Sequence, residues 1–327
     1  MRGERAYDLQ NMKYIESIIK ANKDKPYLIG FSNFVSNLSS STVYRYTEHA
    51  ANFMKYANKN VADLTLDDYL GYMSTLKDKT SSYQIATYSA LKKFSKYLAA
   101  SGRNILDPMQ HVNRPKFIES QTTKAKREIG YLETDEIKTF INAVKKGSGT
   151  KKSKYERKMN VRDTAIVLIL LNTGMRCSAL WKLNVEDLDF ENKRLVVTDK
   201  GSKVITYDIS DELIECIRKW LEVRESILNG VNEDALFVSS QKTRLDQSVI
   251  RKTIKKYSSS IEGKNISPHK LRATFGTQVY KNTNDIYLTQ MAMNHSSPKV
   301  TEMYIRGQSD KSKKVASDIM SKLTFGD

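Results

Sequence analysis

Residues 164–171, TAIVLILL, are apolar on every face of a helix and limit the fold more than any other part of the chain. A helix that is hydrophobic all round must be enclosed by other elements. The run is far too short to span a bilayer, so its enclosure has to be protein. Thr173-Gly174 follows it and supplies a stop. The chain is 327 residues long, enough for two domains of ordinary size, each with its own core. Hydrophobic residues at 39% and charged residues at 28% mark it as globular rather than disordered.

The start, MRGERAYDLQ, has no apolar stretch behind its charges, so no secretory signal is visible. Cys177 and Cys216 are too few for a disulfide framework or a metal cluster and read as reduced thiols of a cytoplasmic protein. The formal net charge of +17 points to a polyanion, since clustered Lys and Arg release counterions from phosphates. The excess positive charge is shared between residues 1–118 and the remainder, so both parts are expected to touch the same partner.

The N-terminal part has helical spacing throughout. Helices are expected over 31–38, 41–56 with Ser41 as cap, 67–76 after Thr65, and 81–100. The last carries Lys92, Lys93 and Lys96 on one face. Residues 113–127 hold Pro115, several basic residues and no periodicity, and read as a linker. The domain boundaries that follow are 1–112, a linker 113–127, and 128–327. A helix start is read at Thr134, where Asp135 and Glu136 suit the helix dipole. Between 189 and 209 the period changes. Residues 194–198 and 204–208 read as strands joined by a turn through Gly201, and 235–238 as a third short strand. Helices resume at 211–225, 247–256, 268–280 and 285–293.

Several residues could carry chemistry. Ser267-Pro268 makes a helix start, which places His269 and Arg272 three apart on one helix. Such a pair could hold a phosphate and move a proton, or simply be a surface His beside a surface Arg. Arg176 follows the end of the buried helix beside Gly174. Lys200 and Lys203 sit in the expected hairpin turn among other basic residues. Ser297-Pro298 reads as another helix start, with His295 just before it and Tyr304 two turns inside. Taken singly, each of these has an ordinary structural reading.

Read in order, Arg176, Lys200, His269-x-x-Arg272, His295 and Tyr304 resemble the catalytic set of the tyrosine recombinases, the phage-integrase family. TGMRCSAL is similar to the family's first-arginine box, HKLRATFGT to its HxLRxxFAT box, and MNHSSPKVTEMYI to its LGHxxxxxTxxYxH box. The segment from VADLTLDDYL to NILDPM is similar to the family's core-binding domain. The resemblance implies a mainly α fold with a small antiparallel β-sheet: a helical SAM-like core-binding domain, then an α+β catalytic domain ending in a tail helix. Three positions depart from the pattern. Ala179 stands where an acid is usual, Asn294 replaces a Gly before His295, and Asp199 replaces a Gly before Lys200. Residues 1–25 are too few for the arm-binding domain of some phage integrases.

The implied activity is site-specific DNA strand cleavage and rejoining through a 3′-phosphotyrosine, with Tyr304 as nucleophile. Arg176 and Arg272 would grip the non-bridging oxygens, Lys200 would protonate the departing 5′-oxygen, His269 would assist proton transfer and His295 would donate a hydrogen bond. Lys92, Lys93, Lys96 and Lys203 are the expected DNA contacts. No cofactor and no metal are expected, and there is no GxxxxGK[ST] string to bind a nucleotide. The implied partners are double-stranded DNA with specific recombination sites, a homotetramer built on it, and accessory DNA-bending proteins; no membrane is involved. A tail stripe of Val315, Ile319, Met320 and Leu323 could dock on a neighbour or on its own subunit. The rival readings are a type IB topoisomerase-like enzyme and a non-catalytic DNA-binding protein of the same fold.

Overall fold

The computed structural model describes residues 16–18, 20–118, 130–147, 153–198 and 204–294. The chain divides into two compact units, one within residues 1–120 and one within 121–327. It is mainly helical with one small antiparallel sheet.

The first unit contains α1 (Pro26–Phe34), α2 (Ser40–Ala57), α3 (Leu66–Ser74) and α4 (Ser81–Ala100). Helices α2 and α4 pack against each other, and α1 lies on both. Its core is aromatic. Phe53 stacks on Tyr69 at 4.4 Å, and Phe31 meets Phe94 edge-on at 5.1 Å. The cap at Thr65 is as read from sequence, and it forms a reciprocal capping box with Asp68. Two boundaries differ from expectation. Helix α1 starts at Pro26, whose ring suits the first turn, and stops at Phe34 rather than spanning 31–38. Helix α2 is capped by Ser39, one of three consecutive serines, and not by Ser41.

The second unit is built around α6 (Lys154–Thr173), which contains the apolar run. It is longer than the run because Ser153 and Glu156 form a capping box upstream and the helix starts at Lys154. Packed on it are α5 (Thr134–Lys146), α8 (Asp211–Leu228), α9 (Gln247–Lys256) and α10 (Pro268–Thr283). Ala165, Ile166, Ile169 and Leu170 are fully buried between them. Leu168 is half-buried and faces a groove between α6 and α8, beside Leu213 and Cys216. Between α6 and α8 run α7 (Cys177–Lys182) and the strands β1 (Leu188–Asp189), β2 (Arg194–Thr198) and β3 (Val204–Asp208). The strands pair in that order, with Leu195 opposite Leu188 on one side and Tyr207 on the other. The last described helix is α11 (Ile286–Ala292).

Residues 235–238 are not the third strand. They make only isolated bridges, Asn184 with Ala235 and Val238 with Arg244. Phe237 O accepts from Leu245 N (2.8 Å), but the other three carbonyls are claimed by side chains. Arg224 Nε donates to Ala235 O (2.9 Å), Trp220 Nε1 to Leu236 O (2.8 Å) and Arg162 Nη1 to Val238 O (3.3 Å). Buried carbonyls need a donor of some kind, and here cations and an indole replace a ladder. The third strand is the short β1, which alternation over two residues could not reveal.

Candidate functional site

The site begins at the end of α6. Gly174 caps that helix in the left-handed region (φ 60°), and its N–H returns to Leu170 O. Glycine is needed there twice over. The conformation disfavours a side chain, and a Cβ would stand 2.3 Å from the Phe275 ring on α10. Met175 is fully buried and pins the turn, so the next residue, Arg176, emerges exposed as the N-cap of α7. Helix α7 also packs on β2. The strand that leads toward Lys200 is thus tied to the helix that starts at Arg176.

The second arm is α10. Ser267 caps it by accepting from Lys270 N, and Pro268 fills its first position, as the sequence implied. His269 is exposed on the first turn, whereas Arg272 is only 5% exposed. Arg272 Nη1 donates to Gly174 O and Nη2 to Met293 O, both at 2.5 Å. Met293 is fully buried, and its sulfur would lie 2.2 Å from a Cβ at Gly276. One guanidinium therefore joins three separate strings: the turn before Arg176, its own helix, and the segment two residues before His295.

These bonds place the Arg272 guanidinium beside the turn that precedes Arg176, and His269 lies three residues before Arg272 on the same helix. Lys200, Lys203, His295 and Tyr304 lie outside the described residues. Lys92, Lys93 and Lys96 are exposed on α4, with the Lys92 ammonium 5.9 Å from the Tyr88 ring centroid. Ala179 is buried beside Trp181 at 2% exposure, so a methyl group occupies the position where an acid was anticipated. Among the described residues no group of three or more His, Cys, Asp or Glu side chains could hold a metal, and no helix is long and apolar enough to cross a membrane.

Sequence reading missed the acceptors that hold Arg272, because they are main-chain carbonyls and carry no residue signal. It also missed a group on the other side of α10. The ammoniums of Lys281 (5.0 Å) and Lys264 (5.9 Å) both lie over the Tyr131 ring. Burial pushes the Tyr131 phenol up, while the Lys281 hydrogen bond holds the Glu133 carboxyl below the usual range. Cys177, next to Arg176, has its thiol pushed up by burial, so it is a poor nucleophile at neutral pH.

A family model described as the Phage integrase family matches residues 130–311, more than half of the chain. Tyrosine recombinase XerD of Oceanobacillus iheyensis is 28% identical over 286 residues, covering 84% of this chain and 90% of that protein. Tyrosine recombinase XerS of Streptococcus thermophilus is 26% identical over 317 residues, covering 95% and 80%. Among solved structures, a XerH site-specific recombinase bound to its palindromic difH substrate, a post-cleavage complex, aligns with TM-score 0.65 at 21% identity, covering 85% of this chain and 78% of that one. A lambda integrase dimer bound to a core site aligns with TM-score 0.62 at 14% identity, covering 85% and 94%. At these identities the structural matches speak for the fold.

Proposed function

This chain belongs to the phage integrase family, the tyrosine recombinases, and on that premise we propose how its own residues cut and rejoin DNA. Tyr304 attacks a backbone phosphate of duplex DNA, forming a 3′-phosphotyrosine and releasing a 5′-hydroxyl. The bond energy is kept in the ester, so rejoining is the same step reversed with a new 5′-hydroxyl and needs no nucleotide. Phosphoryl transfer asks a protein for positioning and charge stabilisation above all.

The observation that carries this reading is the double anchoring of Arg272 to the carbonyls of Gly174 and Met293. A guanidinium has five N–H donors in a rigid fork, so two carbonyl bonds can fix it while it serves an anion. The same two bonds locate the turn that presents Arg176 and the segment that leads to His295. In this reading Arg176 and Arg272 take the non-bridging oxygens and His295 adds a hydrogen bond. Lys200 supplies the proton to the departing 5′-oxygen, and His269, exposed on the first turn of α10, assists at the phenol. Two fixed cations and proton carriers suffice for this chemistry without a Lewis acid.

The substrate is double-stranded DNA with specific recombination sites, held mostly through phosphates by both units, with Lys92, Lys93, Lys96 and Lys203 among the contacts. The working form is a homotetramer on two sites, with accessory DNA-bending proteins as further partners, acting in the cytoplasm. The task is integration and excision of a mobile element, with chromosome-dimer resolution or inversion as the second reading.

The test uses nicked suicide duplexes that contain a randomised 30-bp segment. Incubation in excess chelator should trap covalent protein–DNA adducts whose sequences converge on one site. Tyr304→Phe should give none while still shifting the selected duplex in a gel. Full adduct yield from that variant, or adducts only with added divalent metal, would overturn the scheme.

A further inference from the structure

Helix α10 is held from two sides, and only one of them is the proposed catalytic side. On the far side the segment 131–133 runs against Thr274, Gln278 and Lys281. Leu132 N donates to Thr274 Oγ1 (2.9 Å), and Gln278 Nε2 donates to Leu132 O (3.1 Å). Lys281 Nζ donates to Glu133 Oε2 (2.6 Å) and lies over the Tyr131 ring. Lys264, from the loop before α10, closes the other side. It donates to Tyr131 O (2.8 Å) and to Glu136 Oε2 (2.5 Å) and lies over the same ring. Leu132 is fully buried beneath this clasp.

Residues 274, 278 and 281 are spaced by four and three, so they share one face of α10. At 3.6 residues per turn Arg272 projects about 160° away from residue 274. The clasp and the Arg272 anchor are therefore on nearly opposite faces of one helix. Neither alone defines the rotation of the helix about its axis; together they do.

We infer that Tyr131, with Lys264 and Lys281, is a positioning group for the recombination chemistry: the ring and the two ammoniums over it set the roll of α10 and hence where His269 and Arg272 meet the phosphate. The magnitude fits. With a side-chain tip roughly 6 Å from the helix axis, a roll of about 10° moves it by ~1 Å. A displacement of that size in a reacting geometry costs on the order of 10²-fold in rate. A ring is needed because its face attracts both cations at once, which an aliphatic side chain cannot do.

This rests on the proposed cleavage scheme, and the experiment separates the two. Single-turnover adduct formation on the duplex selected above is measured for the wild type, Tyr131→Leu, Tyr131→Phe, Lys281→Met and Lys281→Arg, alongside the Kd for the same duplex with Tyr304 changed to Phe. The expected result is a cleavage rate lowered ~10–100-fold in Tyr131→Leu and several-fold in Lys281→Met. Kd should stay within about twofold, Lys281→Arg should recover the rate, and Tyr131→Phe, which keeps the ring but loses the phenol's hydrogen bonds to Glu133 and Lys281, should recover most of it. Lys281 lies at the surface, so its variants keep the test open if Tyr131→Leu folds poorly. Absence of any wild-type adduct sinks the cleavage scheme. A wild-type adduct with unchanged rates in Tyr131→Leu and Lys281→Met, or losses that follow Kd instead of rate, overturns the clasp alone.

Discussion

The two units solve the same packing problem with different chemistry. Among the described residues the first unit buries no Lys, Arg, Asp or Glu; its core is Phe31, Phe53, Tyr69, Phe94 and their neighbours. The second unit buries Arg162, Asp163, Arg224 and Arg272. All three arginines reach main-chain carbonyls, Arg162 that of Val238, Arg224 those of Ala235 and Glu233, and Arg272 those of Gly174 and Met293, while Arg162 and Arg224 also pair with the carboxylates of Asp163 and Glu225. A cation buried against carbonyls is costly to place and strongly destabilising to disturb. What it gives in exchange is direction, since each N–H must point at its acceptor. The first unit needs a stable basic surface, which apolar packing supplies. The second needs side chains held to a fraction of an ångström, which apolar packing alone does not specify.

Three substitutions probe that contrast. The largest effect is expected from Arg272→Lys. One ammonium cannot span both carbonyls, so one is left without a donor at a cost of about 1–3 kcal/mol. Adduct formation should fall by ~10²–10³. Urea titration and single-turnover cleavage read the two losses; near-normal cleavage would mean that the double anchor does not matter for chemistry. Next is Phe53→Ala, which should destabilise the first unit by about 3–5 kcal/mol. Both tryptophans, Trp181 and Trp220, lie in the second unit. Their fluorescence transition should therefore stay put while circular dichroism acquires an earlier phase. A shift of both signals together would show that the units do not unfold independently. The smallest stability effect is expected from the combined change of Lys92, Lys93 and Lys96 to Gln. It should fall within about 0.5 kcal/mol of the parent. The slope of log K against log salt should flatten by about 2–3. An unchanged slope would remove that face from the DNA contacts.

Much of this was legible in the chain itself. The apolar run 164–171 announced a central helix because no other environment tolerates such a segment. Thr173-Gly174 and Ser267-Pro268 marked helix ends because glycine tolerates the left-handed conformation and proline fixes φ and lacks an N–H. The strands 194–198 and 204–208 followed from alternation, whereas the proposed site residues rest on the resemblance of their motifs to the tyrosine recombinases. Tertiary structure decided the rest. It turned the carbonyls of Ala235, Leu236 and Val238 toward Arg224, Trp220 and Arg162 instead of a third strand. It also buried Arg272 while leaving His269, three residues earlier, exposed. It set two lysines more than 130 positions downstream over the Tyr131 ring. The reason is physical. Capping, periodicity and turn preferences act over a few residues and are written in side-chain identity. Which main-chain carbonyl meets which guanidinium depends on how helices far apart in sequence come to pack, and every residue carries the same carbonyl.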